Sequence, residues 1–64
     1  MEWTIKTDAC TGEYETETID EAAVIFAEEE GYKGVKTAAG LQAKIEGMGG
    51  WVHFFDEDGA PVEV

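Results

Sequence analysis

The chain has 64 residues, with 15 acids set against four lysines and a net charge of −11 at pH 7. A chain this short supports one small domain, and such a domain buries only about 60% of the surface its unfolded form exposes. So much negative charge repels nucleic acid and anionic membrane and draws the chain toward basic surfaces. Arg, Ser and Asn are absent, and Cys10 is the lone cysteine, which excludes an internal disulfide and a cysteine zinc cluster.

Hydrophobic residues make up 44% of the chain, and its aromatics are Trp3, Tyr14, Phe26, Tyr32, Trp51, Phe54 and Phe55. That is enough for one core and argues against a disordered acidic tail. The N-terminus has no basic region followed by an apolar run, so no signal peptide is expected. No apolar run approaches the roughly 18 residues of a membrane span. A cytoplasmic protein is the expectation.

"EWTIKT" (2–7) places Trp3 and Ile5 at period 2, with Thr4 and Lys6 opposite, and predicts a strand. "DACTG" (8–12) predicts a turn ending in Gly, and "EYETET" (13–18) a second strand, giving a hairpin with a five-residue loop. The period then changes. In "TIDEAAVIFAEEEG", Thr18 and Glu21 have capping-box spacing, Asp20 and Glu21 occupy the first turn, and Gly31 follows the last. A helix is predicted over 19–30, with Ile19, Ala22, Ala23 and Phe26 facing the sheet. Glu28, Glu29 and Glu30 fall at the negative end of its dipole, an unfavourable place worth a few tenths of a kcal/mol each.

Residues 32–40 read as an irregular connection or a short helical turn. "LQAKIE" (41–46) alternates and predicts a strand, with a short helix over 36–46 as the competitor. "GMGG" (47–50) is a flexible turn, "WVHFF" (51–55) the most strand-like run, and "DEDG" (56–59) a tight turn. "APVEV" closes the chain as a short strand, with Pro61 confining it to an edge or a strand start. The expected fold is α+β: a small, mostly antiparallel sheet of about four to five strands in the order β-β-α-β-β-β, with one helix on one face.

No catalytic motif stands out. Cys10 and His53 are the only nucleophile and base of that type, and no signature surrounds either. "DEDG" lacks the alternating ligands and closing Glu of a calcium loop. The glycines around Met48 lack the flanking lysine and following helix of a phosphate cradle. No enzyme activity, cofactor or metal is expected. Trp51, His53 and Phe55 share one strand face, so they either lie bare as a binding patch or are covered by loops or a partner.

The acids remain. On a strand, Glu13, Glu15 and Glu17 would point one way at about 6.8 Å spacing, repelling by about 0.6 kcal/mol per pair in water. An ordinary solvated face, or an edge charged against aggregation, accounts for such a row. The alternative is a row of carboxylates standing in for phosphates, supplemented by Asp20, Glu21, Glu28, Glu29, Glu30, Asp56, Glu57 and Asp58. On this reading these residues contact the basic, nucleic-acid-binding surface of a protein complex, without direct contact to nucleic acid or membrane, and the protein is a monomer.

In size, acidity and element order the chain resembles the small phage-encoded anti-CRISPR proteins that block type I effector complexes by standing in for DNA. The features that carry the likeness are "EWTIKT" as first strand, "TIDEAAVIFAEEEG" as capped helix and "GGWVHFFDEDGAPVEV" as closing hairpin. The resemblance implies a phage protein acting in the host bacterial cytoplasm. It further implies an inhibitor that binds a Cascade-type complex, type I-C among them, near its PAM-reading or DNA-binding surface. It transfers no functional residue by position. An acidic decoy for a restriction or recombination nuclease is an alternative. So is a small structural or adaptor domain of a salt-adapted organism.

Overall fold

The computed structural model describes residues 1–64. Two strands, β1 (Glu2–Thr7) and β2 (Thr11–Glu15), precede two helices, α1 (Ile19–Glu30) and α2 (Ala38–Gly47). Strands β3 (Val52–Phe55) and β4 (Pro61–Val62) close the chain. The sheet order is β2-β1-β3-β4 and every neighbouring pair is antiparallel. The α+β class therefore stands, with four strands and two helices.

β1 sits centrally because its alternation supplies the core from one face. Trp3, Ile5 and Thr7 are buried, and their register partners Tyr14, Phe54 and Val52 lie on the same side. Both helices cover this side. Ala22, Ala23, Phe26 and Ala27 of α1 meet Ala38, Leu41 and Ile45 of α2 and the strand residues in one cluster. The Trp3 indole N–H finds the Thr16 carbonyl at 3.2 Å, and no buried side-chain polar atom lacks a partner.

α1 has the bounds its sequence predicts. Thr18 is its N-cap, its hydroxyl accepting from the Glu21 N–H at 3.2 Å and reaching the Glu21 carboxylate at 3.2 Å. Gly31 ends it at φ 79°, a left-handed value where a side chain would be strained, and Tyr32 N–H closes onto the Ala27 carbonyl at 2.8 Å.

Residues 41–46 are helical, against the strand expected there. Leu41 and Ile45 share a face at either period, since four residues complete both a helical turn and two strand repeats. Ala38 breaks the tie. It extends the buried stripe to 38, 41 and 45, a helical spacing, while Ala43 stays exposed. Thr37 caps this helix by accepting from the Gly40 N–H at 2.9 Å.

The first hairpin is also tighter than expected. Three residues connect β1 and β2, not five, because Thr7 organises the turn. Its Oγ1 accepts from the N–H groups of Ala9 and Cys10 at 3.2 and 3.1 Å and lies 3.1 Å from the Cys10 carbonyl. β2 then ends at Glu15, so Thr16, Glu17 and Thr18 lie outside it. Gly12 is inside the strand, where it makes room for the Tyr14 ring. A Cβ at Gly12 would collide with the phenol and lie 2.7 Å from Cε2.

Candidate binding surface

The register places the acids. Glu13 and Glu15 project from the sheet face opposite the helices, where Thr4 and Glu2 stand beside them on β1. Glu2 opposite Glu15 is a like-charge pair that the sequence reading left out. Its signal was present, since Glu2 has the same parity as Thr4 and Lys6. Glu17 does not continue the row. It sits in the bend between β2 and α1, so the three evenly spaced carboxylates become two on the strand and one beyond it.

Antiparallel pairing gathers other acids to the same end of the sheet. β1 begins where β2 and β3 finish, so Glu2, Glu15, Glu17 and the 56–60 turn share that end. α1 also starts there, with Asp20 and Glu21 in its first turn. Glu28, Glu29 and Glu30, a twelve-residue helix away, fall toward the other end. The expected acids therefore form two groups, not one continuous line.

Several of these acids already have structural work. The Asp20 carboxylate accepts from the Ala38 N–H at 2.8 Å, joining the start of α1 to the start of α2. Glu21 completes the α1 cap. Asp56 Oδ1 accepts from the N–H groups of Asp58 and Ala60 at 2.9 and 3.0 Å and shapes the β3–β4 turn, with Gly59 at φ 80°. Glu29 accepts from the Tyr14 hydroxyl at 2.7 Å, tying the last turn of α1 to β2. Burial first, and then the hydrogen bond and charge of Glu29, push the Tyr14 phenol well above its ordinary value of 10. Glu13, Glu15, Glu17, Glu28, Glu30, Glu57 and Asp58 are exposed. These seven make no side-chain hydrogen bond; Glu2, Asp20 and Glu21 are exposed as well, so they too are open to a partner.

The remaining chemistry is sparse. Cys10 packs against the core cluster, whereas His53 lies on the opposite face of the sheet, so the two do not pair. No group of three or more His, Cys, Asp or Glu side chains is placed to hold a metal ion. A concavity of about 500 Å³ beside β4 is lined by Gln42, by β3 and by the C-terminal residues Val62 to Val64. It brings together no nucleophile and base. No helix is long and apolar enough to cross a membrane. Comparisons with protein-family models, with curated proteins and with solved structures find no match to this chain.

Proposed function

We propose that the protein is an acidic inhibitor that occupies a basic, nucleic-acid-binding surface of a protein complex in place of DNA. The observation that supports this reading most is the gathering of Glu2, Glu15, Glu17, Asp20, Glu21 and the 56–58 acids at one end of a small rigid sheet. Along β2, Glu13 and Glu15 are separated by about 6.8 Å, or about two base-pair rises of 3.4 Å. Of the four lysines, the chain path brings only Lys36, next to the Thr37 cap, to that end. The first candidate target is a type I CRISPR effector complex, type I-C in particular, in a bacterial host cytoplasm. The protein acts there as a monomeric anti-CRISPR without catalysis.

The test is a titration of the protein into a reconstituted type I-C effector, reading the binding of PAM-containing duplex DNA at two salt concentrations. Loss of DNA binding that weakens as salt rises is the expected result, because exposed charges are screened within about 10 Å at 0.1 M salt. Charge reversal of Glu13, Glu15 and Glu17 to Lys should abolish inhibition and leave the fold intact. Reversal of Glu57 and Asp58 is the matched test at the neighbouring turn. An effector that binds DNA equally well with and without the protein removes this target. The same titration against a restriction or recombination nuclease then examines the other decoy reading.

A further inference from the structure

The sheet face opposite the helices carries more than acids. Trp51, His53 and Phe55 form a continuous strip along β3, with ring centroids 5.2 Å apart for Trp51 and His53 and 6.4 Å for His53 and Phe55. Trp51 is 43% exposed, although burying an indole is among the larger apolar gains open to a small domain. Both helices pack on the other side, leaving Trp51 and His53 exposed and Phe55 half-buried. Across the sheet, Phe55 is level with Thr4 and then Glu13, and His53 with Lys6 and then Thr11. Phe55 and Glu13 are therefore about two strand spacings, roughly 9.6 Å, apart, while Trp51 stands at the far end of the strip, beyond Val52 and its partner Thr7.

Charge decides what such a face can receive. A second copy would bring another net charge of −11 against the first, so self-association on this face is opposed. A cationic segment is attracted. Aromatic faces beside carboxylates suit arginine better than lysine. The planar guanidinium stacks on rings and forks onto carboxylates, whereas the ammonium is a compact, strongly hydrated point charge. We infer that the open sheet face docks an arginine-bearing segment of the target protein, with Trp51 and Phe55 receiving guanidinium planes and Glu13 and Glu15 pairing with neighbouring arginines. This inference rests on the reading of the partner as a basic protein surface. Lys6, beside His53 on the same face, is the one cation opposing it.

The experiment compares nona-arginine and nona-lysine peptides of equal charge, binding to the full chain at fixed salt. Isothermal titration calorimetry reads the binding of the parent and of every variant alike; in the parent, Trp51 fluorescence gives a second reading, because Trp3 is only 8% exposed, and NMR amide shifts map the face. Arginine should bind about tenfold more tightly than lysine, the size expected of two partly desolvated ring contacts. The double variant Trp51→Ala, Phe55→Ala should lose that preference while keeping its residual charge-driven binding. Its fold is checked by circular dichroism, and Trp51→Ala alone serves if Phe55, which is half-buried, proves necessary. Glu28→Gln with Glu30→Gln should leave the preference intact, and Lys6→Glu should tighten both peptides. Equal affinity for the two peptides, no binding of either, or a preference that survives loss of Trp51 overturns the inference. If the preference fails but the effector is still blocked, the sheet face is wrong and the inhibitor reading stands. If the preference behaves as expected but no effector is blocked, the target reading falls and the face remains.

Discussion

Replacing Asp20 separates structural from functional use of an acid. The Asp20 carboxylate holds the Ala38 N–H at 2.8 Å, and Ala38 itself is fully buried. Asp20→Ala removes the acceptor from an amide that water reaches poorly. Hydrogen bonds to charged groups contribute about 1.5–3 kcal/mol, and losing a helix cap costs about 1 kcal/mol. Because the carboxylate is largely solvent-exposed, the lower part of the range applies, and a loss of about 1.5 kcal/mol is expected. In a domain of this length each kcal/mol moves Tm by about 4–8 °C, so the variant should melt roughly 6–12 °C lower. Asp20→Asn keeps an acceptor and loses only the charge facing the α2 dipole, so about 0.5 kcal/mol is expected. Thermal and urea unfolding followed by circular dichroism measure both. If Asp20→Ala melts within about 2 °C of the parent while losing its partner, Asp20 is a contact residue and the capping argument is wrong.

Phe26→Ala should remove about a third or more of the stability. The ring is 1% exposed, its loss costs about 3–5 kcal/mol, and a chain this long has roughly 3–10 kcal/mol in total; urea unfolding followed by circular dichroism at 25 °C measures the loss. The raised Tyr14 phenol means the folded state holds that proton more tightly than the unfolded state. Its contribution is complete below the ordinary value of 10 and declines as pH climbs from there toward the raised folded value, so Tyr14→Phe should flatten the alkaline fall in stability above pH 10, measured by urea unfolding. Gly12→Ala should displace the Tyr14 ring and break its bond to Glu29, costing about 1–3 kcal/mol, with a shift of the tyrosine absorbance titration toward its ordinary value as the specific sign. Should Gly12→Ala keep both its stability and its tyrosine titration, the ring does not rest on Gly12.

The legible parts of this fold are those where one period dominates. α1 carried a cap, an apolar face and a terminal glycine that agreed with one another, and its bounds follow from them. β1 and β3 were clear from alternation. Residues 41–46 were ambiguous because Leu41 and Ile45 satisfy both periods, and the deciding residue, Ala38, lies outside the strand reading of 41–46 but inside the competing helix over 36–46, which is the one that forms. β2 was read too long because the Thr7 hydroxyl, a side-chain contact invisible to pattern, shortens the turn and moves the strand back. The acids illustrate a different limit. Their number was plain, but their division into capping, turn-forming and free groups depends on distances set by the fold. That β1 and β3 bring the 56–58 acids beside Glu2 and Glu15 is a product of topology alone.

The placement of β3 next to β1 also shapes how the chain reaches its native state. Thr4 stands opposite Phe55, so the central pairing of the sheet joins nearly the two ends of the sequence. The β1–β2 hairpin and α1 are built from near neighbours and can form early, whereas β3 must close a loop spanning most of the chain before Val52 and Phe54 enter the core. Folding should therefore be limited by that closure. Substitutions that weaken the β3–β1 pairing should slow folding as well as accelerate unfolding. Until β3 arrives, β1 presents an unpaired edge and the core lacks Val52 and Phe54, and the strong negative charge then keeps neighbouring chains from filling that edge.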